Sequence, residues 1–211
     1  SEMCIRDRAR AFGRMVPVGE GELFLDGVDI TDLALQELRH DVAIVPQEGF
    51  LFTSTLADNL RYGEPEADTT QVENAATQAR LADDIKGFPD GYETIVGERG
   101  ITLSGGQRQR TALGRALLVD APVLVLDDAL ASVDNNTAAA ILDSIRAQDG
   151  RTIVMISHQL SAAAACDRIL VMDNGQIVQQ GHHNELIQIA GVYRRLWERE
   201  QAVEELDAMA S

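Results

Sequence analysis

The chain has 211 residues, 45% of them hydrophobic and 25% charged, which is the balance of a globular protein of one domain. Its 34 acidic residues outweigh 18 lysines and arginines and give a formal net charge of −16, so nucleic acid is not an expected partner. Its two cysteines, Cys4 and Cys166, exclude a disulfide framework and favour a reducing compartment.

The apolar runs of the chain are short. None approaches the roughly 18 residues that a membrane-spanning helix needs, so the chain is not expected to cross a membrane by itself. Arginines interrupt the N-terminal stretch, so a secretory signal is not expected either. These two observations favour exposure to the cytosol.

Strands and helices are predicted to alternate along the chain. The first half contains a β-hairpin over Glu22–Ile30, a buried strand over Val42–Val45, a helix over Thr69–Arg80 capped by Asp68, a turn over Phe88–Gly91 and a helix over Gly105–Val119 capped by Ser104. The second half contains a buried strand over Val123–Asp127, a helix over about Asn136–Gln148, buried strands over Thr152–Ser157 and Arg168–Asp173, and a tight turn at Asn174-Gly175 into Gln176–Gln179. The alternation predicts an α/β fold with a mostly parallel sheet, and Val123–Asp127 is expected in its middle.

The most specific motif is Leu-Ser-Gly-Gly-Gln at Leu103–Gln107, where a helix is predicted to begin. Five chosen residues match by accident in a chain of this length with a probability of about 10⁻⁴. Two glycines behind an N-capping serine leave backbone N–H groups bare at the positive end of a helix, which suits a phosphate. The alternative is a glycine-rich helix start with Ser104 as a cap alone, and Arg108 and Arg110 in the same turn argue against it.

Two carboxylates follow the apolar strand Val123–Asp127, at the strand end where open α/β sheets bind ligands. One carboxylate there can hold Mg²⁺ and the other can orient an attacking water. The alternative, that Asp127 and Asp128 only cap a turn, would be preferred if they stood alone. His158 ends the strand after the next helix and is expected on the same edge of the sheet, near a terminal phosphate.

Together these motifs resemble the nucleotide-binding domain of an ATP-binding cassette (ABC) transporter, from about Gly21 to the C-terminus. By this resemblance Leu103–Gln107 is the signature motif, Val123–Asp127 the Walker B strand, Ala131–Asp134 the D-loop and His158 the switch histidine. Gln47 is similar to the Q-loop glutamine, which in this family senses Mg²⁺ and the attacking water.

The resemblance also implies the site and its cofactors, ATP and Mg²⁺. It implies catalytic roles for Asp128, His158 and Gln47, nucleotide contacts from Ser104, Gly105, Gly106, Gln107 and Asp134, and Mg²⁺ ligation by Asp127 and Gln47.

The implied fold is an ABC-type P-loop ATPase fold, with a mostly parallel core sheet and a helical subdomain at about residues 50–118 that carries the signature motif. We expect a non-matching N-terminal segment at 1–20, an ATP-binding domain at 21–195 and a C-terminal helical tail at 196–211. The implied function is the ATP-hydrolysing subunit of an exporter of small molecules such as drugs or lipids, at the cytoplasmic face of the bacterial inner membrane.

Two partners are implied: a second nucleotide-binding domain, from a different subunit, and the transmembrane domain of an exporter. Phe50–Leu60 and Val96–Gly100 resemble the segments that face the membrane domain in exporters similar to multidrug exporters.

The chain departs from the family pattern at two points. It contains no Gly-x-x-x-x-Gly-Lys-Ser/Thr, and its sole lysine, Lys86, lies in another context. Because Ser1–Arg8 resembles translated adapter sequence, we expect a truncated reading frame that lacks the P-loop and its strand. Asp128 stands where active members carry glutamate, and the shorter side chain positions water less well. That substitution resembles the degenerate half of a heterodimeric exporter.

Two alternatives to the exporter function remain open. One is a soluble or chromosome-associated ATPase of the same superfamily, which should show long heptad arms or a basic face, and the sequence has neither. The other is a catalytically inactive fragment that serves only as a dimerisation and signature-motif partner, because it lacks its own phosphate loop.

Overall fold

The computed structural model describes residues 2–97, 101–147 and 150–210, with side chains at 5–97, 101–147 and 150–203. These residues form two compact units, a larger one of residues 7–156 and a smaller one of residues 157–211 with the first six residues. Residues 98–100 of the predicted membrane-facing segment Val96–Gly100, and Gln148 at the predicted end of a helix, lie outside the described residues. No helix within the described ranges is long and apolar enough to cross a membrane.

The larger unit alternates short strands and helices. In chain order they are α1 (Glu2–Phe12, which begins in the smaller unit), β1 (Phe24–Leu25), β2 (Val28–Asp29), α2 (Leu35–Asp41), β3 (Val42–Val45), β4 (Ser54–Thr55), α3 (Leu56–Arg61), α4 (Thr69–Gln78), α5 (Ala82–Lys86), a 3₁₀ turn (Gly91–Glu93), β5 (Ile95–Val96), α6 (Gly105–Val119), β6 (Val123–Asp127), α7 (Asn135–Arg146) and β7 (Thr152–Ile156). The predicted hairpin is present as β1 and β2, which pair antiparallel around the turn at Asp26 and Gly27.

The core sheet of this unit is parallel, with strand order β3-β6-β7. Ala43 of β3 pairs with Leu124 of β6, and Leu126 of β6 pairs with Met155 of β7. Leu124, Val125 and Leu126 are at most 1% exposed, because a central parallel strand is covered on both faces. The α/β class and the central position of Val123–Asp127 are therefore confirmed.

The strand β7 is less buried than its apolar sequence predicts. None of its residues, Thr152–Ile156, is fully buried. It pairs with β6 along one edge, and no strand in the described part of the chain pairs along its other edge. The prediction of a fully buried strand is wrong for β7, because such a strand is buried only where other elements cover both of its faces.

The helix α6 is the centre of the helical part of the unit and has the predicted bounds. Leu113 is fully buried, and a Cβ at Gly114 would lie 2.8 Å from the side chain of Leu60 on α3, so α6 and α3 pack closely. The helix α4 begins after Asp68 as predicted. It ends at Gln78 rather than Arg80, because Arg80 adopts a left-handed conformation with φ of 53°.

The smaller unit contains α8 (Leu160–Ala164), β8 (Ile169–Asp173), β9 (Gln176–Gly181), α9 (His183–Leu186) and α10 (Val192–Ala210). The strands β8 and β9 form an antiparallel hairpin, and Asn174 and Gly175 at its turn both have positive φ, as the Asn-Gly sequence predicts. Burial of β8 is alternate: Ile169 and Val171 are buried, while Leu170 is 51% exposed. The prediction of a fully buried β8 is wrong, because an antiparallel hairpin packs on one face.

Candidate functional site

The two predicted carboxylates lie where β6 ends. Asp127 and Asp128 are 5% and 7% exposed. Asp128 turns the chain out of the strand with φ of 50°, and its amide N–H donates to the carbonyl oxygen of Ile156 at 2.9 Å. A second hydrogen bond stabilises this turn, because the carbonyl oxygen of Asp128 accepts from the N–H of Ala131 at 3.2 Å. The backbone at Asp128 is thus held on both sides, and the residue is buried at the end of the central strand.

Gln47 and Asp128 touch, although they are 81 positions apart in the sequence. Gln47 follows β3, which is the neighbour of β6 in the parallel sheet, so both side chains come from the same end of the sheet. Its amide Nε2 donates to Oδ2 of Asp128 at 3.0 Å. Because Nε2 is used in this contact, the amide oxygen of Gln47 remains as the atom that can bind a cation or a water.

The predicted helix start at Ser104 has the geometry of a full capping box. The Ser104 hydroxyl accepts from the N–H of Gln107 at 3.2 Å, and the Gln107 side-chain oxygen accepts from the N–H of Ser104 at 2.9 Å. Ser104 is exposed. The positive end of a 15-residue helix is therefore presented at the surface with its first turn ordered.

The two glycines of the signature motif allow α6 to approach the turn at Ser132. A Cβ at Gly106 would lie 2.8 Å from the carbonyl oxygen of Ser132, a distance that real Cβ atoms do not adopt. A Cβ at Gly105 would lie 3.3 Å from the Ser132 side chain. Glycine at position 106 is required by this contact between helix and backbone.

The arginines that follow the motif have different roles from one another. Arg110 forms an ion pair with Asp84 of α5 at 2.7 Å and also donates to the carbonyl oxygen of Arg80. Asp84 in turn accepts from the Gln107 amide at 2.8 Å. Arg110 is therefore used to fix the helix start against α5, while Arg108 is exposed. Arg110 is therefore paired within the chain, and an anion contact stays a prediction for Arg108.

Asp134, at the end of the D-loop, is exposed and caps α7. Its carboxylate accepts from the N–H of Thr137 at 3.0 Å. Hydrogen bonds from Thr137 lower the pKa of Asp134 below its ordinary value, and the charge of Arg110 adds to this. Asp134 is therefore ionised at neutral pH and is a fixed acceptor at the surface.

His158 lies two positions after the end of β7, in the smaller unit, and is exposed. The larger unit holds the other predicted site residues: Gln47, Ser104, Gly105, Gly106, Gln107, Asp127, Asp128 and Asp134. The role of His158 stays a prediction.

One buried polar residue near the site was missed by the sequence argument. Gln109 is 6% exposed and hydrogen-bonds the backbone at Gln47 and at Ser132. A signal for it exists in the sequence, because Gln109 lies three and four positions before Ala112 and Leu113, in the apolar stripe of α6. A polar residue in such a stripe needs partners, and here it has them.

The arrangement supports two kinds of chemistry. The end of β6 offers two buried carboxylates and an amide oxygen, a donor set suited to a hard divalent cation and to the orientation of a water. The start of α6 offers backbone N–H groups and a hydroxyl at a positive helix end, which suit a phosphate.

The sequence pattern of the ABC transporter family matches residues 9–131, so the match begins before Gly21. The chain is 42% identical over 189 residues to the probable multidrug resistance ABC transporter ATP-binding/permease protein YheI of Bacillus subtilis, covering 89% of this chain and 32% of that protein. It is 46% identical over 178 residues to the ATP-dependent lipid A-core flippase of Chromohalobacter salexigens, covering 84% of this chain and 31% of that protein.

The solved structure of a bacterial Atm1-family ABC exporter with ATP bound is similar to this chain, with a TM-score of 0.87 and 40% identity over 92% of this chain and 34% of the exporter chain. The chain spans about a third of the length of these relatives. The family match covers more than half of the chain, and the fold agrees with it. The chain therefore belongs to the ABC transporter family.

Proposed function

We propose that this chain is the ATP-binding and ATP-hydrolysing part of an ABC exporter, and that it works as one face of an ATP sandwich with a second nucleotide-binding domain. The observation that carries this proposal is the exposed, capped start of α6, whose Ser104 hydroxyl and first N–H groups stand at a positive helix end. A phosphate held by another domain can reach this helix start because Ser104 is on the surface.

The end of β6 supports a Mg²⁺ site. Asp127 is buried there and supplies carboxylate oxygens, and the Gln47 amide supplies its oxygen because its nitrogen is bound to Asp128. The ion, when bound, would neutralise charge on the phosphates. These donors fit the ion, so we assign Asp127 and Gln47 as its ligands in this chain.

The residues of the chain have separate tasks in this proposal. Asp128 accepts a hydrogen bond from a water, and Gln47 holds the Asp128 carboxylate in one orientation through the 3.0 Å contact. Ser104, Gly105 and Gly106 bind the terminal phosphate of ATP on the partner, together with Gln107 of the same turn. Asp134 accepts a hydrogen bond from the partner domain across the interface. We also propose that the exposed His158 contacts a phosphate.

The second domain is proposed to belong to a different subunit. Asp128 is one methylene shorter than the glutamate of active family members, and its side chain is already bound to Gln47. A site built around Asp128 therefore hydrolyses ATP slowly. The active site is then the one that contains the partner's glutamate and the signature motif of this chain.

An exposed aromatic cluster supports the proposal of a membrane partner. Phe50, Phe52 and Tyr62 are 68%, 36% and 61% exposed. The Phe50 and Phe52 rings meet edge to face at 5.0 Å, and the Phe52 and Tyr62 rings stack at 4.4 Å. The Arg115 guanidinium lies 5.3 Å from the Tyr62 ring and donates to the carbonyl oxygen of Asn59 at 2.9 Å. Aromatic side chains held in place and open to solvent are typical of a docking surface. We propose that a helix of the exporter's transmembrane domain docks there, at the cytoplasmic face of a bacterial inner membrane.

The exported substrate is proposed to be a small molecule, such as a drug or a lipid. The relatives of the chain include a multidrug resistance transporter and a lipid A-core flippase, which supports this class. For the organisation of the chain, we propose an ATP-binding domain that runs from the start of the family match to residue 195, with a helical subdomain at about 50–118. A C-terminal segment at 196–211 follows it.

Titration calorimetry of the isolated chain with Mg-ATP tests the sandwich proposal. Because the phosphate contacts of this chain point to a nucleotide held by another domain, we expect the dissociation constant to lie far above about 1 μM, with negligible hydrolysis. Binding tighter than that, in a preparation free of contaminating ATPases, would show a complete site in one chain and contradict the proposal.

A further inference from the structure

The side chain of Gln109 joins two loops that are far apart in the sequence. Its Nε2 donates to the carbonyl oxygen of Gln47 at 3.1 Å, and its Oε1 accepts from the N–H of Ser132 at 2.8 Å. The separations along the chain are 62 and 23 positions. Gln109 itself is 6% exposed, so its side-chain amide lies largely away from water.

The orientation of this amide is determined by its two partners. The Ser132 N–H is a donor and needs an oxygen, while the Gln47 carbonyl is an acceptor and needs an N–H group. A flipped amide would put two donors together at Ser132 and two acceptors together at Gln47. The Gln109 side chain therefore has one arrangement in which both backbone groups are satisfied.

The hydrogen bonds continue from Gln109 to the carboxylate at the end of β6. The backbone of Gln47 is bound by Gln109, and the side chain of Gln47 donates to Asp128 at 3.0 Å. Three hydrogen bonds thus link Ser132 to Gln109, Gln109 to the backbone of Gln47, and the side chain of Gln47 to Asp128. Gln109 lies on α6, two positions after Gln107 of the signature motif.

The helix α6 contacts the turn at Ser132 through Gly106 as well as through Gln109. Gly106 lies against the carbonyl oxygen of Ser132, so the backbone of α6 touches the same turn that Gln109 binds. One helix turn therefore contacts the turn before Asp134 both through a close backbone approach and through a buried amide. An apolar side chain at position 109 would leave two backbone groups unpaired.

We infer that Gln109 is a positioning residue that links the start of α6 to both loops. Through Gln47 it orients the amide that binds Asp128, and through Ser132 it holds the turn that presents Asp134. When the signature motif moves as it binds a partner's nucleotide, Gln109 therefore shifts the groups that position Asp128 and Asp134. The passage of a movement from the partner's nucleotide rests on the proposed function. The hydrogen bonds of Gln109 to Gln47 and Ser132 do not depend on it.

The test uses the whole chain without nucleotide, labelled with ¹⁵N at glutamine and serine, and recorded by NMR in the cold at low concentration. The variant is Gln109→Met, which has nearly the same shape and no hydrogen-bonding groups at its end. The control is Thr111→Val on the same helix, which removes a buried hydroxyl that donates to the carbonyl oxygen of Gln107 at 2.8 Å. Both changes remove buried polar contacts, but only the first lies in the linkage.

In the unmodified chain we expect the Ser132 N–H to exchange slowly with solvent, although Ser132 is an exposed residue. In Gln109→Met that exchange should rise about tenfold, as loss of one hydrogen bond predicts, and the side-chain amide signals of Gln47 should shift. In Thr111→Val, the exchange rate of the Ser132 N–H and the side-chain amide signals of Gln47 should both stay unchanged.

Unshifted Gln47 signals in Gln109→Met would overturn the inference, as would equal shifts in Thr111→Val. If Gln109→Met does not fold, the unmodified chain decides, because an unprotected Ser132 N–H contradicts the linkage. ATP hydrolysis is not measured, so a failure of the proposed function would leave this result unaffected, and the two failures are distinguishable.

Discussion

Replacement of Ser104 by arginine is expected to remove most ATPase activity from an exporter that contains this chain. The exporter for this measurement carries a P-loop before this chain and a partner domain with glutamate after its Walker B aspartate. The Ser104 hydroxyl caps α6, and the side chain is exposed where a second domain would approach. Arginine removes the cap and fills that space, so the two domains cannot close on the phosphate. We expect a loss of about 100-fold or more in the steady-state rate.

The matched variant is Asp128→Asn in the same exporter. It keeps the size of the side chain and removes the charge from a site that already positions water poorly. Because hydrolysis is expected at the other site, the loss should be far smaller, less than about tenfold. If Asp128→Asn reduces the rate as much as Ser104→Arg, then Asp128 is a working catalytic carboxylate and the degenerate-site proposal is wrong.

The isolated chain is expected to unfold irreversibly on heating, with a midpoint below about 60 °C. The cause is the second edge of β7, along which no strand in the described part of the chain pairs. An unpaired edge of an apolar strand exposes backbone groups that bind the same edge of another molecule. A net charge of −16 slows such contacts without removing the edge.

The role of the edge is tested by comparing Thr152→Lys with Thr70→Lys. Both residues are exposed, and both changes add one positive charge, but Thr152 lies on β7 and Thr70 on α4. Lysine on an edge strand opposes edge-to-edge pairing, so light scattering on heating should grow more slowly in Thr152→Lys alone. A reversible, cooperative melt of the unmodified chain above about 60 °C would contradict the expectation of marginal stability.

Local patterns in the sequence were sufficient for much of the site. The cap at Ser104 and the bounds of α6 follow from a motif of neighbouring residues, and the buried position of β6 follows from its unbroken apolar run. The contact between Gln47 and Asp128 could be expected in outline, because both follow parallel strands. Such features depend on the chain near each residue or on a general rule of sheet topology.

Contacts between distant segments could not be predicted in the same way. Arg110 looked like a ligand for phosphate, but Asp84, 26 positions away, binds it. The partners of Gln109 are 62 and 23 positions away, so its hydrogen bonds could not be derived from its neighbours in the sequence. The burial of β7 depends on which elements pack on its faces, and its apolar sequence does not show which elements these are.

Cooperation between two domains is measured by the ATPase rate when this chain is mixed with an ABC nucleotide-binding domain that has a P-loop and a glutamate after its Walker B aspartate. Sedimentation first verifies that the two associate in Mg-ATP. We expect the rate of the mixture to exceed the sum of the separate rates, and Ser104→Arg to abolish the excess. An associated pair whose rate equals that sum, or an excess that survives Ser104→Arg, would contradict the claim that this signature motif completes a partner's ATP site.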